Sequence, residues 1–448
     1  MSTTIIENDG AIETDAYLEL EARIRNKEAR FGVIGLGYVG LPLAMTLCDA
    51  GFDVTGVDID TNRIGAINGG RSYITDVSDQ NLQKAVDGKR FRATSDLSEI
   101  AGLDAVSICV PTPLRKTKDP DMSYIVAAAD AIAKVLRPGQ LVILESTTYP
   151  GTTEELVLPA LEARGLKVGK DFFLAFSPER VDPGNPTFGT RDIPKVIGGV
   201  TPRCSKLAAL LYGAGMKHIV MVSSTRVAEM VKLLENTFRS VNIALANEIA
   251  LMCSHMKIDV WEVIKGASSK PFGFMPFYPG PGLGGHCIPI DPLYLEWKSK
   301  IDGFESRFIG LADKINSGMP RFVATRAMEL LNESGKAIRG SRIHILGVTY
   351  KKDISDSRES PALEVIKLLM GLGAQVTYSD PFVPSLSVDG QNMEAVHPSR
   401  EVLSSSDLAI VITNHTAFDY PEIVRNAPLI FDTRNATEGL TAKNIVRL

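Results

Sequence analysis

Arg30-Phe-Gly-Val-Ile34 runs straight into Gly35-Leu-Gly37-Tyr38-Val39-Gly40, and Leu41 to Ala50 continues at helical spacing. An apolar strand, a glycine turn and a helix in that order predict the opening of a dinucleotide-binding sheet. Gly35 and Gly37 suit a tight turn whose backbone approaches a pyrophosphate, and Gly40 suits close packing of helix on strand. Tyr38 and Val39 lie within the turn, and the helix start would offer the phosphates its positive end. A second strand ends at Val57-Asp58, 18 residues beyond Gly40. A carboxylate there accepts from ribose hydroxyls and repels a 2′-phosphate, which selects NAD over NADP. Arg63, one turn later, fits the adenine ribose and open solvent equally well.

Working outward, apolar β-branched runs recur at residues 104–110, 141–145, 173–176, 195–199 and 218–222, with helical patterns between them. That alternation predicts a mostly parallel sheet covered on both faces. Val110-Pro-Thr112-Pro and Glu145-Ser-Thr147 both end strands. Their hydroxyls either meet the nicotinamide or substrate or simply turn the chain. The texture changes near Thr225: residues 225–256 contain no Gly or Pro and carry apolar residues at helical spacing. One helix roughly 45 Å long is expected, as a spine between domains or a subunit interface. Lys270 to Leu293 is a Gly/Pro/aromatic stretch with no room for a regular helix or strand. A second strand–helix alternation starts at Ser341. The expected fold is therefore α/β, with two Rossmann-like doubly wound domains joined by a long central helix. Residues 1–29 read as a tail and short charged helix, 30–224 as the NAD-binding domain, 225–325 as the long helix and a cysteine loop, and 326–448 as the second Rossmann-like domain. A ligand cleft is expected between the two sheets.

Composition narrows the class. The 448 residues are 44% hydrophobic and 23% charged, with no apolar run long enough to span a bilayer. A net charge of -5 provides no electrostatic footprint for nucleic acid or an anionic membrane. The first fifteen residues are polar and acidic, unlike a secretory signal. Five scattered cysteines form no CxxC pair and no metal spacing, so reduced thiols in the cytoplasm and no bound metal are expected.

Cys287 differs from the other four. It sits in Gly284-Gly-His-Cys287-Ile-Pro-Ile-Asp291, on irregular backbone, whereas Cys48, Cys109, Cys204 and Cys253 lie in apolar patterns or at a helix start. A thiol serves an oxidation from hydroxyl to carboxylate: it traps the aldehyde as a thiohemiacetal, whose oxidation leaves a thioester to hydrolyse. Such a route needs a cation near the developing oxyanion and groups that orient water. Lys232 and Asn236 are spaced i, i+4 on the long helix, with Arg239 extending that face. Spacing alone favours a solvated polar stripe.

From Phe31 through the C-terminal domain, the chain resembles the UDP-glucose/GDP-mannose dehydrogenase family. The motifs that carry the resemblance are GLGYVGLPLA, VPTP, EST, SPER, EMVKLLENTFR, GPGLGGHCIPIDP and GVTYKKDISDSRESPA. It implies that Cys287 is the nucleophile, that Lys232 and Asn236 stabilise the oxyanion and position water, and that Asp291 assists as acid, base or water orienter. Glu179, beside Arg180, would take part in thioester hydrolysis, and Thr147 would shape the water and cofactor environment. Lys351 and Arg358 match positions associated with the nucleotide-sugar diphosphate. The loop from Phe277 through Tyr278 to Gly282 would pack over the nucleotide, with Tyr278 where some relatives carry lysine. His286 and Ile290 flank the cysteine where the UDP-glucose branch commonly has Ser and Lys. These departures resemble the branch acting on UDP-N-acetylhexosamines, nearest its UDP-N-acetylglucosamine 6-dehydrogenases. The implied partners are a UDP-sugar and further copies of the chain, as a homodimer or larger. UDP-N-acetylmannosamine and UDP-glucose are the alternative substrates. A non-catalytic binding protein on this fold would not need Cys287, Lys232 and Asp291 together, and a simple two-electron dehydrogenase would not need the cysteine.

Overall fold

The computed structural model describes residues 15–74, 76–115, 119–181, 189–285 and 287–448. The N-terminal tail expected before residue 15, and His286, lie outside them. The fold is mixed α/β and divides into two compact units, Met1–Leu234 and Glu235–Leu448.

The first unit is built on eight strands. They are β1 (Arg30–Ile34), β2 (Asp53–Val57), β3 (Phe91–Thr94), β4 (Ala105–Ile108), β5 (Leu141–Leu144), β6 (Phe173–Phe176), β7 (Lys195–Gly199) and β8 (Ile219–Met221). Their order across the sheet is β3-β2-β1-β4-β5-β6-β7-β8. Neighbours are parallel except β6 and β7, which run antiparallel. β4, β5 and β6 are buried at every position, as strands covered by helices on both faces must be. The short N-terminal helix Asp15–Arg25 joins this core through Tyr17, Leu20 and Ile24. Tyr17 meets Phe173 edge-on at 5.9 Å, and Arg23 pairs with the buried Asp104 at 2.8 Å.

The second unit has a parallel five-stranded sheet of β9 (Arg342–Leu346), β10 (Gln375–Ser379), β13 (Leu408–Val411), β14 (Ile430–Asp432) and β15 (Ile445–Arg447). Its order is β10-β9-β13-β14-β15. A separate antiparallel pair, β11 (Ser385–Val388) and β12 (Gln391–Glu394), stands apart from it. The two sheets share one local device. Gly35 takes φ +91° with its N–H on Val57 O at 2.8 Å, and Leu36 N–H donates to Asp58 Oδ2 at 2.7 Å. Gly347 takes φ +83° with its N–H on Ser379 O at 2.9 Å, and Val348 N–H donates to Asp380 Oδ2 at 2.7 Å. In each case an acid ending the second strand ties down the glycine turn after the first.

The long helix spans Thr225–Met256, and the division between the units falls within it. A second long helix, Arg307–Glu333, runs through residue 325, where the sequence placed a domain edge. Among the described residues of 270–290, none lies in a helix or strand. The last three residues of that irregular stretch correct the sequence reading: Asp291-Pro-Leu293 opens the helix Asp291–Ile301, because proline suits a first helical turn.

Candidate active site

In the first unit, the glycine turn fits a dinucleotide. A Cβ on Gly40 would collide with the Gly35 carbonyl oxygen, whereas one on Gly37 would meet nothing within 4 Å. Gly40 thus serves the packing of helix Gly40–Asp49, and Gly37 leaves an approach open. No side chain caps that helix at Val39 and no acid stands in its first turn, so its end favours an anion. Tyr38 is exposed beside it. Asp58 is buried, and Asp60 N–H binds its second oxygen at 2.9 Å. Arg63 is exposed, lies 3.5 Å from both Asp58 and Asp60 and sits over the Tyr73 ring at 5.8 Å. Thr112 is half-buried in the loop after β4.

Beyond β5, Thr147 accepts a hydrogen bond from the ammonium of Lys232, which is itself buried. One turn earlier on the long helix, Glu229 accepts from Gly151 N–H at 2.5 Å, and from Thr153 N–H at 2.9 Å and its hydroxyl at 2.7 Å. The two side chains therefore hold both ends of the 147–153 loop, which leads into a π-helical turn, Thr153–Val157. Burial pushes the Glu229 carboxyl up to about 7 against these donors. Glu179 follows β6, with Oε1 accepting from Arg180 N–H at 2.7 Å and Val181 N–H at 2.8 Å. Its Oε2 accepts from Lys195 at 3.2 Å. Arg180 itself donates to Pro194 O at 2.7 Å.

In the second unit, Cys287 is exposed while Cys48, Cys109, Cys204 and Cys253 are buried. Burial pushes the Cys48 thiol up to about 12 and raises Cys109 and Cys204 as well, which leaves them inert. The Cys287 carbonyl accepts from Ile290 N–H at 3.2 Å and Asp291 N–H at 2.8 Å, so the turn clamps Asp291 to the cysteine. The buried Asp291 carboxylate accepts from Asn236 Nδ2 at 2.6 Å. Gly284 and Gly285 let this loop lie flat on Tyr350, since a Cβ at either would strike its side chain. The cysteine loop thereby abuts the segment that carries Lys351, which is half-buried. Arg358 is exposed and grips Asp356 with two bonds, at 2.9 and 2.7 Å. Arg239 is exposed on the long helix, and Tyr278 stacks on Trp261 with ring centroids 6.3 Å apart. Gly282 packs against Pro361 and Pro320, so its lack of a side chain serves the chain's own packing.

Sequence spacing missed Lys195, Tyr212, Glu229 and Arg434, and it quoted Glu145 only as a strand end. Glu229 carried a usable signal, three residues before Lys232 on one helix. Arg434 follows β14 in Leu-Ile-Phe-Asp-Thr-Arg434, donates from Nε to Ile412 O at 3.0 Å and lies against Gly280. Burial pulls its guanidinium down to about 10 despite the charge of Asp432.

A glycine turn fit for a dinucleotide, with clustered acids and a lysine in the first unit and an exposed thiol in the second, fits an NAD-dependent oxidoreductase. Comparison with known proteins agrees over nearly the whole chain. Models of the UDP-glucose/GDP-mannose dehydrogenase family match as its NAD binding domain over residues 29–215, its central domain over 226–318 and its UDP binding domain over 344–439. The UDP-N-acetyl-D-mannosamine dehydrogenase of Methanococcus maripaludis is 35% identical over 420 residues, covering 91% of this chain and 92% of that protein. The UDP-N-acetyl-D-glucosamine 6-dehydrogenase of Pseudomonas aeruginosa is 36% identical over 363 residues, 80% of this chain and 84% of that protein. The solved UDP-D-ManNAc dehydrogenase of Pyrococcus horikoshii superposes with a TM-score of 0.85 at 34% identity, covering 93% of this chain and 98% of that one. The chain belongs to the UDP-glucose/GDP-mannose dehydrogenase family and is an NAD-dependent UDP-sugar dehydrogenase. Among the described residues no helix is long and apolar enough to cross a membrane.

Proposed function

We propose that the chain oxidises the hydroxymethyl group of a UDP-N-acetylhexosamine to a carboxylate in two successive two-electron steps, with Cys287 carrying the intermediate. The observation that carries this reading is the exposed Cys287 turn, which clamps Asp291 through its amide while Asn236 holds the Asp291 carboxylate. NAD, which the Gly35–Gly40 turn and Asp58 would hold, would supply the hydride acceptor for both oxidations. Cys287 Sγ adds to the aldehyde carbon, and oxidation of the resulting thiohemiacetal leaves a thioester on the sulfur. Lys232, steadied through Thr147, supplies positive charge to the developing alkoxide without giving up a proton. Asn236 and Asp291 orient the oxygen and water, and Glu179 takes the proton of the water that cleaves the thioester. Lys351, Arg358 and Arg434 supply cations for the diphosphate, with Arg239, Arg180, Tyr278 and the Gly282 loop completing the nucleotide-sugar contacts.

Within the substrate class, the residues flanking Cys287 favour UDP-N-acetylglucosamine. UDP-N-acetylmannosamine is the second reading, supported by the names of the Methanococcus and Pyrococcus proteins. The enzyme acts in the cytoplasm as a homodimer or larger. Phe238, Leu245 and Met252, spaced by seven on the long helix and all exposed, support that assembly. A panel of UDP-sugars with NAD tests the activity: two NADH per sugar consumed is expected with one of the N-acetylhexosamines. One NADH per sugar overturns the four-electron route. Cys287→Ser should slow steady turnover by about 10³-fold or more.

A further inference from the structure

β6 and β7 are antiparallel, with Ala175 opposite Gly199 and Phe176 opposite Gly198. Carried three residues further, that register sets Glu179 across from Lys195. The Lys195 ammonium, 5% exposed, lies 3.2 Å from Glu179 Oε2 and 2.7 Å from Glu145 Oε2. Glu145, wholly buried just past β5, also accepts from the Tyr212 hydroxyl, which pairs with Ser107 at 2.7 Å. The line of contacts thus runs from the sheet interior out to Glu179, the member nearest solvent. Burying a lysine between two glutamates costs heavily in desolvation, and an apolar layer of the same volume is commonly as stable or more so. Stability alone does not account for such an arrangement.

We propose that Lys195 is a positioning residue for the hydrolytic step: anchored by Glu145 and Tyr212, it fixes the Glu179 carboxylate, in its charged form, toward the attacking water. The proposal rests on the function read above. In that step water adds to the thioester carbonyl carbon as Glu179 takes one of its protons. The carbon–sulfur bond then breaks, its electron pair leaving on Cys287 Sγ, and the sugar acid loses its remaining proton to solvent. An ionised Glu179 is required.

The charged and titratable groups facing Glu179 act together. Burial alone would raise the Glu179 carboxyl, but Lys195 and the Val181 and Arg180 amides outweigh it and hold it below its ordinary value. Burial raises Glu145. It pulls Lys195 down, but the two carboxylate charges outweigh it and raise the ammonium. Burial lifts Tyr212 and Cys109, so both stay neutral. The Arg180 guanidinium donates to Pro194 O. One ammonium thus serves two carboxylates, and altering either partner should move Glu179 in opposite directions.

Lys195→Met and Glu145→Gln test this in the full-length enzyme, by rapid mixing, intact mass and the pH dependence of kcat. Lys195→Met should release two NADH per site in a burst, then turn over at least about 10-fold more slowly, with a thioester adduct on Cys287. Its acidic limb should move up by about one pH unit or more. Glu145→Gln leaves Lys195 to Glu179 alone, so its acidic limb should move down. No adduct with unmoved limbs, or both limbs moving the same way, overturns the proposal. If Lys195→Met fails to fold, Glu145→Gln decides, and an unmoved limb overturns it. A wild type that yields one NADH per sugar and no Cys287 adduct removes the underlying reading, and this proposal with it.

Discussion

Gly37 and Gly40 stand three residues apart in one loop, yet they answer to different constraints. A side chain at Gly40 strikes the Gly35 carbonyl, while one at Gly37 enters open space. Gly40→Ala should therefore destabilise the fold by about 1–3 kcal/mol, as overpacking does, and lower Tm. Gly37→Ala should keep the wild-type Tm but weaken NAD by about tenfold, or about 1.4 kcal/mol, in a fluorescence titration. Equal Tm losses in the two variants would contradict this division of labour. Cys287 was legible at this scale because Gly and Pro surround it. Arg434 was not, because nothing beside it in sequence announces that the fold buries its guanidinium.

The long helix contributes two side chains to one loop, Glu229 and Lys232, and Glu229 gives that element a pH dependence. Its carboxyl is raised in the folded chain to about 7, from an ordinary 4.5. The folded state therefore binds the proton more tightly, so this stabilisation is complete below about 4.5 and is lost as pH rises to about 7. Chemical denaturation at several pH values should show wild type losing up to about 1.4 kcal/mol per pH unit relative to Glu229→Gln across that window. Parallel curves for the two proteins would exclude the assignment. The helix itself was legible to its ends, since 32 residues without Gly or Pro can hardly form anything else. β3, with Phe-Arg-Ala-Thr, and the β11–β12 pair escaped notice because each strand has only 4 residues, too few for an alternation to stand out. The pairing of Lys195 with Glu179 escaped for another reason: sixteen residues separate them, and only the antiparallel register brings them together.

At the scale of the molecule, two sheets each use an acid at the end of the second strand to brace a glycine turn. The proposed assembly is the other matter at this scale. Leu245→Glu, placed amid the exposed apolar row on the long helix, should shift the enzyme to monomer in light scattering. An unchanged mass would send the interface elsewhere. The bracing acid of the first sheet also bears on attempts to re-engineer the enzyme. Asp58 is more than a proposed partner for the ribose: its two oxygens are already taken up by the amides of Leu36 and Asp60, and Arg63 leans on it. Exchanging it for a small neutral residue to admit a phosphorylated cofactor would loosen the turn before it changed the preference. A redesign for NADP must first give the Leu36 amide another acceptor.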